Sequence, residues 1–174
     1  MKVLVAVSSK HGSTREIAES IAGTVREAGI VVEVVDAEHV RSIDGYDAVV
    51  IGSALYMGRW MGPARELAKG SADALHARPG WLFSSGPMAP DVVDPADAAE
   101  GNKLLELVGG REHRVFPGKA DRDEFGFFER RVVAMVKSPY GDYRDWTEIE
   151  AWAAGIAAEL TAAERPGQAV VAEA

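Results

Sequence analysis

The hydrophobic residues of the chain fall into short continuous runs separated by longer amphipathic stretches. A short apolar run rich in β-branched or aromatic residues is typical of a strand buried on both faces of a parallel sheet. Five such runs predict five strands, at residues 3–7, 30–35, 48–52, 80–84 and 113–116. Between the runs, apolar residues recur at helical spacing. They predict helices after Thr14, after Pro63, near 97–108 and after 147. The alternation predicts an α/β protein, a three-layer αβα sandwich with a five-stranded parallel sheet of order 2-1-3-4-5.

Three of the loops that follow these strands are rich in glycine and small polar residues. They are residues 8–14 after the first strand, 53–60 after the third and 84–87 after the fourth. In the predicted order these three strands are neighbours, so their loops emerge at one edge of the sheet. Ligands of doubly wound sheets bind at the carboxyl ends of the strands. The pattern therefore predicts a binding site at this carboxyl edge.

The first of these loops has the composition of an anion cradle, the name used below for residues 9–14. Ser9, Ser13 and Thr14 offer hydroxyl groups, Gly12 permits a tight bend, and the following helix presents free backbone N–H groups at its positive end. Neither G-x-x-x-x-G-K-[ST] nor G-x-G-x-x-G is present, which makes ATP and NAD poor first candidates. A serine-rich turn that only caps a helix is the alternative interpretation.

Composition narrows the possible functions. With 174 residues we expect one domain at 1–165 and a flexible tail at 166–174. The absence of cysteine excludes disulfides, zinc-thiolate sites, iron–sulfur clusters and thiol nucleophiles. A net charge of −8 and a pI near 5.0 argue against nucleic-acid binding. No apolar stretch approaches a membrane span, and the histidines lack metal-ligand spacing. We expect a cytoplasmic protein without a metal.

The spacing S-x-x-G-x-T in the anion cradle resembles the phosphate loop of flavodoxins, which bind FMN. Those proteins usually have a second threonine at the position of His11. FMN needs an anion cradle for its phosphate, small polar groups for its ribityl chain and flat apolar surfaces for its ring. We expect residues 9–14 to hold the phosphate, residues 53–58 to cover one ring face and the backbone of 84–87 to meet the ring edge. The candidate cofactor-binding residues are Ser9, Lys10, His11, Gly12, Ser13, Thr14, Ser53, Ala54, Leu55, Tyr56, Met57, Gly58, Ser84, Ser85, Gly86 and Pro87.

Tyr56 is the first candidate to stack on the ring, and Trp60 is the second. An aromatic residue in a loop after a buried strand is more often a packing residue, which is the alternative for Tyr56 taken alone. Because two further loops also have the composition that FMN binding needs, we favour the stacking role for Tyr56.

Longer stretches resemble the flavodoxin-like, menaquinone-dependent protoporphyrinogen oxidases. They are 9–18 (SKHGSTREIA), 46–58 (YDAVVIGSALYMG) and 127–136, followed by Asp145-Trp146. The resemblance implies noncovalently bound FMN and electron transfer from a reduced tetrapyrrole precursor to a quinone. It leaves three hypotheses: an FMN-dependent oxidoreductase, a flavodoxin-type electron carrier without its own substrate, and an interaction module without flavin. None requires a catalytic acid or base, and we assign none.

The resemblance also marks residues 119–144 as an insertion before the last helix. Residues 111–144 contain eight Lys or Arg against six Asp or Glu, so this part carries +2 in an acidic chain. Residues 125–137 combine basic and aromatic side chains, which suits contact with a membrane surface, a quinone or an anionic substrate. An additional helix that covers a sheet edge is the alternative.

Overall fold

The computed structural model of the chain describes residues 1–86, 95–120 and 141–163. Its strands are β1 (Lys2–Ser8), β2 (Val31–Asp36), β3 (Ala48–Tyr56), β4 (Arg59–Trp60), β5 (Gly80–Ser85), β6 (Glu112–Phe116), β7 (Lys119–Ala120) and β8 (Gly141–Asp142). Its helices are α1 (Ser13–Glu27), α2 (Gly62–Gly70), α3 (Ala72–His76), α4 (Pro95–Val108) and α5 (Trp146–Ala163), with a 3₁₀ turn at Ala37–His39. The insertion is described only at its two ends, and the predicted tail lies outside the described residues.

Five strands form a parallel sheet in the order β2-β1-β3-β5-β6. These are the five predicted strands, so the predicted order 2-1-3-4-5 is confirmed. The short strand β4 was not predicted; it pairs antiparallel with the end of β3. Strands β7 and β8 pair with each other in a separate ribbon.

Helices cover both faces of this sheet, which gives the predicted three-layer αβα sandwich. Because successive side chains of a strand point to opposite faces, β1 contributes to two cores. Val3, Val5 and Val7 pack on the side of α1 and α5, whereas Leu4 and Ala6 pack on the side of α2 and α4. All five are fully buried, as a continuous apolar run requires. Among the described residues, no helix is both long and apolar enough to cross a membrane.

An aromatic cluster fills the core between the sheet and α5. The rings of Phe83, Phe116 and Trp152 lie 5.5 to 6.3 Å apart, centroid to centroid. Gly52 on the neighbouring strand makes room for Phe83, because a Cβ atom at position 52 would lie 2.0 Å from Cζ of that ring. The close packing of β3 on β5 therefore depends on the missing side chain.

The segment after Pro63 was predicted as one helix and is two. The first helix ends at Gly70 and the second begins at Ala72, with Ser71 at φ −108° and ψ 12° between them. Glycine lowers helix stability by about 1 kcal/mol relative to alanine, which favours a break at this point.

Candidate functional site

The register of the sheet brings the three predicted loops to one edge. Ser8 of β1 lies opposite Ser53 of β3, and Ser53 lies opposite Ser84 of β5. The three serines form a buried row where the strands end. The loops that begin beyond this row are therefore neighbours, as the sequence predicted.

The anion cradle joins β1 to the amino end of α1. Gly12 is the residue before the helix and has a left-handed backbone, with φ +85°. Among the described residues no side chain caps this helix, and its first-turn N–H groups have no capping side chain there. A Cβ atom at Gly12 would meet no other atom within 4 Å. The space beside Gly12 is thus open, next to the positive end of α1.

Two serine hydroxyls at the base of this loop are buried without a hydrogen-bond partner in the described part of the chain. They are Ser8 Oγ and Ser9 Oγ. A buried hydroxyl left without a partner costs about 1–3 kcal/mol, a cost that a bound water or ligand would remove. Thr14, the second residue of α1, is also buried. Hydroxyl groups and free N–H groups together form the donor set that a phosphate accepts.

The sequence analysis placed Ser8 in the loop after the first strand but began the candidate residues at Ser9, and in the structure Ser8 is the last residue of β1. The sequence could have indicated Ser8 as a candidate, because Ser8 and Ser9 are consecutive polar residues directly after a buried run. Because side chains alternate along β1, Ser8 lies on the same face of the strand as Leu4 and Ala6, whereas Ser9 follows the end of the strand.

The loops after β1 and β3 contact each other through Lys10 and Tyr56. Lys10 Nζ lies 5.7 Å from the centroid of the Tyr56 ring, within the range of a cation–π interaction. Tyr56 is 38% exposed at the end of β3. The ring that the sequence analysis proposed as a stacking surface therefore lies partly exposed beside the anion cradle.

Met57 and Gly58 form the two-residue turn between β3 and β4. Their φ angles are 52° and 71°, and positive values at both positions are typical of a type I′ hairpin turn. Met57 is 95% exposed at the tip of the hairpin. The hairpin therefore presents Tyr56 and Met57 together at the carboxyl edge of the sheet.

The loop after β5 packs against the same hairpin. The N–H group of Gly86 donates to the Phe116 carbonyl over 2.9 Å. Gly86 has φ +121°, a conformation that side chains other than glycine rarely adopt, and a Cβ atom there would lie 3.5 Å from Cβ of Leu55. Residues 84–86 thus border the loop after β3. Pro87, the last candidate of this group, lies outside the described residues.

The hydroxyl groups of Ser53 and Ser84 are engaged in the protein interior. Ser53 Oγ accepts from the Met61 N–H group and donates to the Ala54 carbonyl, both over 2.9 Å. These bonds hold the start and the end of the hairpin together. The side chains of Ser53 and Ser84 therefore form hydrogen bonds within the protein, and only their backbone atoms remain for a ligand at the carboxyl edge of the sheet.

The second stacking candidate, Trp60, is a core residue and not part of the edge. It is 2% exposed and packs on the side of α2 and α4. Its Nε1–H group donates to Ser84 Oγ over 2.8 Å. The expectation that Trp60 could stack on a ligand is wrong. Trp60 pairs with Leu55 in the hairpin, and its ring lies on the face of the sheet that α2 and α4 cover.

A buried polar chain continues from Trp60 through Ser84 to His113. The Ser84 hydroxyl lies 2.8 Å from His113 Nε2, and His113 Nδ1 lies 2.9 Å from Asn102 Oδ1. With a proton on Nδ1, the neutral ring donates to Asn102 and accepts from Ser84. A Cβ atom at Gly101 would lie 2.2 Å from the ring, which shows how closely α4 covers it. Burial lowers the pKa of His113 to about 4, although the Glu112 carboxylate acts in the opposite direction.

This histidine makes stability dependent on pH. Between pH 6.5 and about 4 the unfolded chain binds a proton at His113 that the folded chain does not, so the free energy of unfolding falls as the pH falls. Allowing for the partial exposure of the ring, we expect a loss of about 2 kcal/mol. His113→Gln keeps an acceptor for Ser84 and removes this contribution. Urea unfolding at pH 7 and pH 4.5 should show a smaller pH dependence in H113Q. Equal pH dependence in both proteins would contradict the assignment.

The parallel sheet, the helices on both of its faces and the loops gathered at its carboxyl edge define a doubly wound α/β domain. A sequence model of the flavodoxin domain family matches residues 4–147. The chain therefore belongs to the flavodoxin domain family.

Individual relatives agree with this assignment. The chain is 26% identical over 172 residues to the protoporphyrinogen IX dehydrogenase (quinone) of Escherichia coli strain K12, covering 90% of this chain and 95% of the relative. A solved flavodoxin from the domain Archaea matches 92% of this chain and 99% of its own, with a TM-score of 0.59 and 16% identity. The flavodoxin of Streptococcus pneumonia TIGR4 matches 94% and 99%, with a TM-score of 0.60 and 16% identity. The two structures show the same fold.

Proposed function

We propose that the protein binds FMN at the carboxyl edge of its sheet and acts as an oxidoreductase. The observation that carries the proposal is the buried hydroxyl of Ser9, which has no hydrogen-bond partner among the described residues and precedes the uncapped amino end of α1. The residues present fit a phosphorylated ligand, since they supply hydroxyl and N–H donors and leave Gly12 open. A flat partner for a ring lies next to them in Tyr56.

Each loop has a separate task in this proposal. Residues 9–14 hold the phosphate through Ser9, Thr14 and the N–H groups of the first turn of α1. Tyr56 covers one face of the ring, with Met57 and Gly58 at its margin. The backbone of residues 84–87 meets the polar edge of the ring, and the left-handed conformation of Gly86 allows the chain to pass close to it.

FMN when bound supplies electron transfer in steps of one or two electrons. The protein contributes binding, orientation and electrostatics. The phosphate donors fix one end of the cofactor, so that the distance from the cradle to Tyr56 sets where the ring lies. Tyr56 excludes water from one ring face, and the acidic surface of the chain influences which partners approach.

The substrate is the finer part of the proposal. The Escherichia coli relative is named a protoporphyrinogen IX dehydrogenase that uses quinone. We therefore propose quinone-dependent oxidation of protoporphyrinogen or a related compound in the cytoplasm. Residues 125–137, which lie outside the described residues, are the proposed contact with a quinone or a membrane surface.

An electron carrier without its own substrate is the second candidate. The net charge of −8 favours it, because an acidic surface suits docking to a basic reductase. Steady oxidation of protoporphyrinogen with a quinone as acceptor would support the enzyme. Electron exchange with a reductase, without such turnover, would support the carrier.

Titration of FMN with the protein, followed by flavin fluorescence, tests the binding proposal. We expect quenching with a dissociation constant of about 1 μM or lower. Identification of the released cofactor by mass gives an independent result. Absence of quenching at saturating protein would contradict FMN binding and would leave an interaction module without flavin as the remaining hypothesis.

A further inference from the structure

Arg144 is a nearly buried cation that connects the end of the insertion to the anion cradle. Its side chain is 4% exposed. Two of its nitrogens donate to the Asp142 carboxylate over 2.8 and 2.6 Å, and its guanidinium lies 4.5 Å from the centroid of the Trp146 ring. These hydrogen bonds raise the pKa of Arg144 and lower the pKa of Asp142. The guanidinium is thus held as a fixed positive charge.

The same guanidinium contacts the first turn of α1. Nη1 donates to the Ser13 carbonyl over 3.1 Å and to the Glu16 carboxylate over 2.7 Å. Ser13 is part of the anion cradle, and Glu16 lies one turn further along the helix. Arg144 therefore reaches the helix end at which the proposed phosphate is bound, from a position more than 120 residues away in sequence.

Glu16 has an electrostatic consequence for this site. A carboxylate in the first turn of a helix is favourable in the free protein, because it interacts with the positive helix end. A phosphate monoester carries a charge of about −1.5 to −2 at pH 7, and a nearby carboxylate repels it. Arg144 shares its positive charge between Asp142 and Glu16, so it reduces the repulsion that Glu16 would exert on a phosphate, while the bond to Ser13 fixes the first turn in position.

We propose that Arg144 is a positioning residue for the phosphate group of the ligand, acting by reducing the repulsion from Glu16 and by holding the first turn of α1. This inference rests on the proposed function and extends it, because it assigns phosphate selectivity to a residue outside the three loops. It also gives the end of the insertion a direct effect on the cradle.

The test compares FMN with riboflavin, which has the same ring and no phosphate. Arg144→Gln should weaken FMN binding about fivefold and change riboflavin binding by less than about twofold. Arg144→Lys, which keeps the charge, should retain most of the FMN affinity. Fluorescence titrations at low ionic strength measure both ligands, because screening by salt reduces the effect.

A double variant separates electrostatics from structural damage. Glu16→Gln alone should not weaken FMN binding, and Glu16→Gln in the R144Q background should restore most of the lost affinity. Recovery is not expected if Arg144 only supports the fold. Arg111→Gln is a matched control, because Arg111 also pairs with a carboxylate, Glu159, and lies over an indole, Trp81, away from the cradle.

The outcomes are distinct for the two proposals. If the unaltered protein does not bind FMN, the proposed function fails. If it binds FMN and the R144Q/E16Q double variant shows no recovery, or R144Q weakens FMN and riboflavin equally, the role of Arg144 is overturned and the proposed function stands. Equal loss in R111Q would also overturn it.

Discussion

Ser9→Asp is expected to weaken FMN binding about 100-fold, the largest effect on ligand binding that the structure predicts. Ser9 Oγ is buried at the base of the anion cradle without a partner in the described part of the chain. A carboxylate at this position would face the ligand phosphate, and two like charges in contact near a protein surface repel by roughly 4 kcal/mol. A 100-fold change corresponds to about 2.7 kcal/mol. Fluorescence titration with FMN measures it.

Two control variants test whether the effect of S9D arises from repulsion of the phosphate. Ser20→Asp adds the same charge to α1 beyond the cradle, and FMN affinity should fall by less than about threefold because the charge is screened. Ser9→Ala removes only the hydroxyl and should cost about fivefold. If S9D and S20D weaken FMN binding equally, the phosphate does not lie at Ser9.

Gly52→Ala is expected to lower the free energy of unfolding by about 3 kcal/mol, the largest effect on stability. The added methyl group would lie 2.0 and 2.2 Å from Cζ and Cε1 of the Phe83 ring. Phe83 cannot move aside, since it is fully buried against Phe116 and Trp152. Overpacking of a closely packed core typically costs 1–3 kcal/mol and sometimes more. Urea unfolding followed by fluorescence measures the change.

A smaller side chain at position 83 tests whether a direct clash with Phe83 causes the loss of stability. Phe83→Leu shortens the side chain that meets the new methyl group, so G52A should cost less in an F83L background than alone. Gly23→Ala is the control, because a Cβ atom there meets nothing within 4 Å and alanine favours the helix by about 1 kcal/mol. Additive effects of G52A and F83L would contradict a direct clash.

The fold could be predicted because its signals are local. Five continuous apolar runs alternate with amphipathic stretches, and each run forms a strand at the expected place. Strand β4 escaped prediction, since two residues are too short to show a period. It forms because Met57 and Gly58 adopt positive φ angles. Methionine rarely adopts a positive φ angle, so its presence in the sequence did not predict this turn.

The candidate site was predicted in its outline and not in its details. The three loops meet as expected, with Lys10 against Tyr56 and Gly86 against Leu55. The direction of each side chain could not be predicted from the sequence. Trp60 and Tyr56 are both aromatic residues near the end of β3, yet only Tyr56 stays at the edge, because the hairpin turn reverses the chain between them.

The sequence by itself determined the sheet, the order of its strands and the edge at which the loops gather. These follow from hydrophobic periodicity and from the chirality of strand–helix–strand connections, which act over neighbouring residues. Only the tertiary structure decided which polar groups remain for a ligand. Ser84 is engaged by Trp60 and His113, and Arg144 reaches Ser13 across the chain. Such contacts join residues far apart in sequence, so the partners of a polar group are set by packing and not by its neighbours along the chain.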